Sequence, residues 1–476
     1  MATQNMLDLS AYEDHAIAVL GLGVSGMSAA SELRRAGARV LPWDDNENRR
    51  NGAATRGLTP CDLETAEFAD IDMLILSPGI PQGHPHTHPV VARARDAGCQ
   101  ILCDVELLTR VAPDARYIGI TGTNGKSTTT ALIGHILSKL KIASAIGGNI
   151  GAPALSIDAL GSDGIYVLEL SSYQLDLLPR AVFDVAVLLN ITPDHLDRHG
   201  GMDGYVAAKR RIFNGQSNAH TAIVGIDDVH SRNIFEEVAG RELAAMTSIS
   251  THGAGAVYLN DGWIIDDRDG MAEPVIEMNT LAALPGDHNA QNVATAYAAV
   301  TAILSDRTGE TRDAITAAIE SFPGLAHRQE LLGTLGSVRF VNDSKATNAE
   351  AAAHALSAYE NIYWITGGIA KDGGIDALDP LFDHVRHAFL IGDAADEFAD
   401  KLEGRVPATL SGDLATALSQ ANEMACDVAD GDAVVLLSPA CASFDQFPSF
   451  EARGDAFRKA VAAIPGFLPH ASGGAA

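Results

Sequence analysis

Residues 118–130 read I-G-I-T-G-T-N-G-K-S-T-T-T: a short apolar run, a glycine-rich turn, a lysine, then hydroxyl residues opening a helix. Gly122 and Gly125 let the backbone curl so that successive N–H groups converge on an anion. Lys126 can neutralise terminal phosphates, and Ser127 or Thr128 can offer a hydroxyl to Mg²⁺. The strict phosphate-loop spacing is not met, because Ile120 stands where the first glycine belongs and Gly119 lies one residue early. The strand-like entry and the Ser/Thr-rich exit nevertheless make ATP the expected ligand.

Other segments place reactive side chains where apolar runs end. Leu168-Glu-Leu-Ser-Ser-Tyr-Gln174 closes a strand with Glu169, which could hold Mg²⁺ near ATP or simply face solvent. Asn190-Ile-Thr-Pro-Asp-His-Leu-Asp-Arg-His199 offers His195 as a metal ligand, although such a segment also reads as a polar turn. The run Gly83-His-Pro-His-Thr-His-Pro89 has metal-like composition, but prolines interrupt it and no carboxylate stands nearby in sequence, so a surface loop is expected. Gly286-Asp-His-Asn-Ala-Gln-Asn292 opens a helix with amides suited to nucleotide contacts or to capping. Further on, 322–330, 342–348, 367–371 and 437–447 gather polar residues at turns after predicted elements, and their clustering argues for a site. Lys209 reads as an ordinary helical lysine.

An earlier loop, Gly21-x-Gly23-x-x-Gly26, follows the apolar run 16–20 and precedes an Ala-rich helix, with Asp44 closing the next strand. That is the dinucleotide fingerprint of a βαβ unit. A nicotinamide cofactor, another pyrophosphate ligand such as a nucleotide-sugar diphosphate, and a plain tight turn all fit it.

These segments need elements to hold them. Apolar runs at 16–20, 38–41, 73–76 and 100–102 predict a first α/β sheet; runs at 117–120, 165–170, 185–190 and 221–225 predict a second. Asn260-Asp-Gly262 between apolar triplets predicts a hairpin, making 235–283 a β-rich stretch, before helices at 289–304 and 310–320. Runs at 338–341, 362–366, 388–391 and 433–437 predict a third α/β block. The expected domains are 1–112, 113–323 and 324–476. At 476 residues the chain exceeds one core, and its net charge of −28 disfavours nucleic acid and anionic membrane as partners. Five cysteines without a C-x-x-C pair, no leader-like start and no apolar run near ~20 residues point to a cytoplasmic protein without membrane insertion.

Taken together, T-G-T-N-G-K-S, L-E-L-S-S, D-H-L-D, H-N-x-x-N, H-R-x-E, D-S-K-A-T-N and S-P-A-C-A-S-F-D-Q-F resemble the ATP-dependent Mur ligases of peptidoglycan synthesis, in order along nearly the whole chain. D-S-K-A-T-N with S-P-A-C-A-S resembles the glutamate-adding member. The resemblance implies an N-terminal Rossmann-like domain, a central phosphate-loop ATPase with a parallel sheet and β-rich insert, and a C-terminal Rossmann-like domain. It implies a monomer whose partners are ATP, UDP-N-acetylmuramoyl-L-alanine and D-glutamate, with Mg²⁺. Gly21, Gly23, Gly26, Asp44, Ser77, Gly79 and Asn149 would then serve the UDP-sugar. Gly122, Thr123, Asn124, Gly125, Lys126, Ser127 and Thr128, with Asn292, Arg328, Asp343 and Lys345, would serve ATP. Ser127, Glu169, His195 and a carbamylated Lys209 would ligate metal; Lys126, Glu169, His195 and Lys209 would be catalytic. Thr347, Lys371, Ser443 and Phe450 would frame D-glutamate. The rival classes are a dehydrogenase fused to an ATPase module and a non-enzymatic nucleotide switch.

Overall fold

The computed structural model describes residues 6–241, 244–281, 283–284, 286–370, 373–427 and 432–470. The chain forms two compact units, Met1–Thr280 with Asp287–Glu320, and Leu281–Gly286 with Ser321–Ala476. Three α/β sheets run through them.

The first unit holds two sheets. β1 (Ala16–Leu20), β2 (Arg39–Trp43), β3 (Met73–Leu76) and β4 (Gln100–Leu102) form a parallel sheet in the order β2-β1-β3-β4. Every residue of β1 and β3 is buried, as expected for strands covered on both faces. Chain order reverses at β1, and such reversals open a crevice at the carboxyl ends of the strands. Gly21 and Ser77 directly follow β1 and β3 there, and the Ser77 hydroxyl donates to the Gly21 carbonyl at 2.8 Å.

The second sheet contains β5 (Arg116–Thr121), β6 (Ser144–Gly148), β7 (Ile165–Glu169), β8 (Val185–Leu188), β9 (Thr221–Gly225), β10 (Ala245–Ser250), β11 (Val257–Asn260), β12 (Trp263–Asp266) and β13 (Glu273–Glu277). Their order is β13-β12-β11-β10-β9-β8-β5-β7-β6, parallel from β6 to β11 and antiparallel beyond. The interior strands β5 and β7 carry the glycine loop and Glu169 at their carboxyl ends. Gly119 lies inside β5, where a Cβ would come within 2.7 Å of the Phe183 ring, so it makes room for packing and takes no part in the loop.

The expected hairpin is present: Asp261 and Gly262, at φ 47° and 81°, join β11 to β12. Both turn residues in the left-handed region match the twist of the flanking strands. The β-rich reading of 235–283 needs correction at its start. Residues 229–239 form the helix Val229–Ala239, capped by the Asp228 carboxylate on the Ser231 amide, and strands begin only at β10.

In the second unit β14 (Glu330–Leu335), β15 (Val338–Asn342), β16 (Ile362–Gly367), β17 (Val385–Ile391), β18 (Ala408–Gly412), β19 (Val434–Leu437) and β20 (Leu468–Pro469) take the order β18-β17-β16-β19-β15-β14-β20. The first five in that order are parallel; β14 and β20 add antiparallel. Separate apolar clusters cover its two faces, one around Trp364 and Phe398, the other around Phe340, Phe389 and Phe457. All five cysteines are free thiols. No helix among the described residues is long and apolar enough to cross a membrane.

Candidate active site

The loop between β5 and the helix Lys126–Lys139 is held in shape from three sides. Asn190, after β8, takes the Asn124 amide on its side-chain oxygen at 2.9 Å, while its own carbonyl takes the Thr123 amide at 2.9 Å. The Thr123 hydroxyl donates to the Thr192 carbonyl, accepts from the Thr192 amide, and lies 3.1 Å from the hydroxyl of buried Tyr205. Gly125, at φ 83°, begins the helix; a Cβ there would lie 2.3 Å from Asn292 Oδ1. Asn292 is buried, accepts from the Thr129 hydroxyl and donates to Asn289, so it braces the loop helix from behind. Ser127 and Thr128 are buried in the first turn.

Two lysines converge on one backbone oxygen. Lys126 Nζ donates to the carbonyls of Gly122 and Thr123 at 2.8 Å each, and Lys209 Nζ donates to Gly122 at 2.7 Å. Lys209 is not the solvated helical lysine its sequence suggests: it is 2% exposed, with its ammonium over the Tyr205 ring. Burial first, and then repulsion from Lys126, hold its ammonium well below the ordinary lysine pKa, against the opposing pull of Asp194 and Glu169.

Glu169 is buried at the end of β7. Its Oε1 accepts from Asn149 Nδ2 at 2.8 Å, while Oε2 has no partner among the described residues. An orphaned, buried carboxylate oxygen is an unsatisfied ligand for a hard cation. His195, left-handed at φ 53°, is half-exposed, lies 3.4 Å from Asp194 and packs against the Tyr173 ring. Beside it His199 stacks on Tyr173 and lies 2.9 Å from the Ser172 hydroxyl. Burial, followed by the charges of His195, Lys209 and Arg198, pushes His199 down to about 4. No cluster of three His, Cys, Asp or Glu side chains among the described residues forms a ready metal site. Of the expected metal set, Glu169 offers an unpartnered carboxylate oxygen, while Lys209 stands as a hydrogen-bond donor.

Around the first glycine loop, Gly21 has φ 90°, and a Cβ on Gly26 would meet the Gly21 carbonyl at 1.8 Å; Gly23 has open space around its Cα. This is the close helix-to-strand approach the fingerprint requires. Asp44 is buried and accepts the amides of Leu22 at 2.6 Å and Asn46 at 2.8 Å, so it braces the loop. A cavity of about 740 Å³ adjoins Leu22, Gly23, Met27, Ser28 and Ser156. Gly79 offers its carbonyl to Arg198 at 3.1 Å. The histidine run is a surface loop over 83–86, as expected, and is built into the fold only at its end. His88 is 9% exposed, takes the Val90 amide on Nδ1 and lies 3.0 Å from Asp45, a carboxylate remote in sequence but brought near by β2.

In the second unit Asp343, at the end of β15, is buried and accepts from the Ser438 hydroxyl at 2.7 Å and the Gln329 amide at 3.1 Å. Lys345 lies over the Phe450 ring. Ser443 Oγ is buried without a partner among the described residues. Arg453, 1% exposed, donates to the Ser344 hydroxyl and carbonyl and to the Cys441 carbonyl, with Nη1 unpartnered among the described residues. It thereby ties D-S-K-A-T-N and S-P-A-C-A-S to the helix Phe450–Ala462. Thr347 and Arg328 are half-buried in this same unit, and Lys371 lies outside the described residues. Arg453, Tyr205 and Asn190 were missing from the expected site. Each sits in or beside a quoted motif, but an Arg, Tyr or Asn there carries no spacing that marks it as buried.

This fold and loop define the class. Residues 120–300 match the family model described as Mur ligase middle domain. Among solved structures, the chain is similar to MurF from Acinetobacter baumannii (TM-score 0.56, 20% identity, covering 95% of this chain and 93% of that one). It is also similar to UDP-N-acetylmuramate-alanine ligase MurC from Thermotoga maritima (TM-score 0.55, 16% identity, 93% and 98%). At these identities the likeness speaks for the fold alone.

Sequence relatives are nearer. The chain is 48% identical to UDP-N-acetylmuramoylalanine--D-glutamate ligase of Rhodospirillum rubrum, covering 96% of both chains, and 47% identical to the enzyme of that name from Caulobacter vibrioides NA1000, covering 96% and 97%. The chain belongs to the Mur ligases and, within them, to the UDP-N-acetylmuramoylalanine--D-glutamate ligase family.

Proposed function

We propose that this protein is an ATP-dependent ligase that joins the amine of D-glutamate to the carboxyl group of UDP-N-acetylmuramoyl-L-alanine, giving the amide, ADP and phosphate in peptidoglycan precursor synthesis. The observation that carries this reading is near-full-length identity of 48% to a ligase of that name. The phosphate loop, its two lysines and the orphaned Glu169 oxygen support it.

A carboxylate is a poor acyl donor, so its oxygen first attacks the γ-phosphorus. A new O–P bond forms as the bond to the β-phosphate oxygen breaks, releasing ADP. The neutral amine of D-glutamate then attacks the acyl carbon, phosphate leaves with the C–O bond, and the nitrogen sheds a proton. The loop amides and Lys126 would cradle the β- and γ-phosphates and hold charge on the transferring group. Ser127 and Glu169 would hold one Mg²⁺, His195 and the carbamate of Lys209 a second. When bound, Mg²⁺ supplies neutralisation of phosphoryl charge. A carbamate forms when neutral lysine adds to CO₂ and sheds a proton, and burial together with Lys126 favours the neutral form of Lys209.

Gly21, Gly23 and Gly26 would receive the UDP-sugar diphosphate, with Ser77 and Gly79 beside them and Asp44 fixing the loop around the uridine end, while Asn149, held on Glu169, would orient the muramoyl group. Asn292 would act through the loop it braces. Arg328, Asp343 and Lys345 would contact ATP or the migrating phosphoryl group; Thr347, Lys371, Ser443 and Phe450 would frame D-glutamate. Phosphate release from ATP, measured with each substrate omitted in turn, tests the reading. Release that requires both the UDP-sugar and D-glutamate supports it, and release indifferent to both contradicts it.

A further inference from the structure

A cavity of about 440 Å³ in the first unit lies between the turn after β3 and the helices Ser172–Leu175, Leu196–His199 and Met202–Arg210. Its wall carries the guanidinium groups of Arg95, Arg198 and Arg211 against one carboxylate, Asp176. In a chain with 61 acidic and 33 basic residues, such a local excess of cations runs against the overall charge.

The single carboxylate is already engaged. Asp176 accepts from Arg211 Nε at 2.9 Å and lies 3.9 Å from His199. Arg198 donates to the Gly79 carbonyl at 3.1 Å and lays its guanidinium over the Tyr173 ring. Arg95 donates to the Gln82 carbonyl at 3.2 Å. Neither Arg198 nor Arg95 has a carboxylate partner among the described ion pairs. Two guanidiniums therefore line one void with carbonyls as their only hydrogen-bond acceptors among the described residues, and the facing helix contributes Gly204, Ala207 and Ala208, which leave room. Forked, permanently charged donors around a small void suit a tetrahedral oxyanion.

We propose that this cavity binds a small phosphate-class dianion through Arg95, Arg198 and Arg211, at a site separate from the phosphate loop of Lys126. Its occupant would join the turn after β3 to the helix that carries Lys209. The site is independent of the ligase reading. A free phosphate and the phosphoryl end of a small monoester share the chemistry it recognises.

Calorimetric titration of Lys126→Ala, in which the phosphate loop is weakened, with inorganic phosphate in low-chloride buffer tests the site. Saturable binding is expected, and adding Arg95→Glu should weaken it about tenfold or more, because a charge-assisted contact becomes a repulsive one. Arg95 is exposed, so the substitution leaves the core intact, and an unchanged melting temperature without phosphate verifies this. Parallel titration with glycerol phosphate separates the two sources, tighter binding marking a monoester and weaker binding free phosphate. Selenate soaked into crystals should give an anomalous peak between Arg95 and Arg198. Absence of binding, equal affinity with and without Arg95→Glu, or selenate at the phosphate loop alone would overturn the proposal.

Discussion

Lys126 and Lys209, 83 positions apart, donate to the same carbonyl oxygen, that of Gly122, at 2.8 and 2.7 Å. Two ammoniums so close repel each other, and the buried one, Lys209, yields its proton more readily. An ammonium repels Mg²⁺, whereas a carbamate offers the anionic oxygens Mg²⁺ prefers. Lys209→Ala should therefore lose most activity and regain part of it with acetate, which refills a ligand role. Rescue by a small amine and not by acetate would show that the cation itself was needed.

Gly125 combines a left-handed φ of 83° with a close neighbour, Asn292 Oδ1. Gly125→Ala should cost about 1–3 kcal/mol in urea unfolding, the range for a side chain forced into that region. It should also raise the KM for ATP, because Asn292 must move from the helix it braces. Unchanged stability and KM would mean that the loop relaxes freely.

Burial pushes the Asp343 carboxyl up from 3.8 to about 7, against the lowering effects of Ser438, Gln329 and Arg328. The folded state thus binds this proton more tightly than the unfolded chain. Its contribution to stability is complete below pH ~4 and is lost as pH rises towards 7, with a slope of at most ~1.4 kcal/mol per pH unit. Without nucleotide, Asp343→Asn should gain on the wild type in melting temperature between pH 5 and 8. Parallel curves would contradict the buried, proton-holding carboxyl.

D-Glutamate brings two carboxylates, which require a cation and donors. Ser443 has a buried hydroxyl with no partner among the described residues, which suits that task. Ser443→Ala and Lys371→Ala should each raise the D-glutamate KM several-fold or more while the UDP-sugar KM stays within a few-fold. Equal damage to both constants would move these residues to the phosphoryl site.

Strands that are continuous apolar runs were legible in the sequence, because both faces of β1, β5, β8 and β19 are buried. The unforeseen strands lie at or near sheet edges. β6 is Ser-Ala-Ile-Gly-Gly and β18 is Ala-Thr-Leu-Ser-Gly; neither needs a long apolar run. At the site, glycines and Lys126 announced themselves by spacing. Lys209 did not, because what sets it apart is burial against Gly122 and Tyr205, a tertiary fact. Arg453 was hidden for the same reason: its partners Ser344 and Cys441, 109 and 12 positions away, lie outside the helix that carries it.

The central claim is that the UDP-sugar carboxylate is phosphorylated before the amide forms. UDP-N-acetylmuramoyl-L-alanine labelled with ¹⁸O in its carboxyl group, turned over with ATP and D-glutamate, tests this through the mass of the released phosphate. Acyl-phosphate formation predicts one ¹⁸O in each phosphate from fully labelled substrate, because the C–O bond breaks as the amine attacks. Phosphate carrying no label, formed alongside the amide, would contradict it.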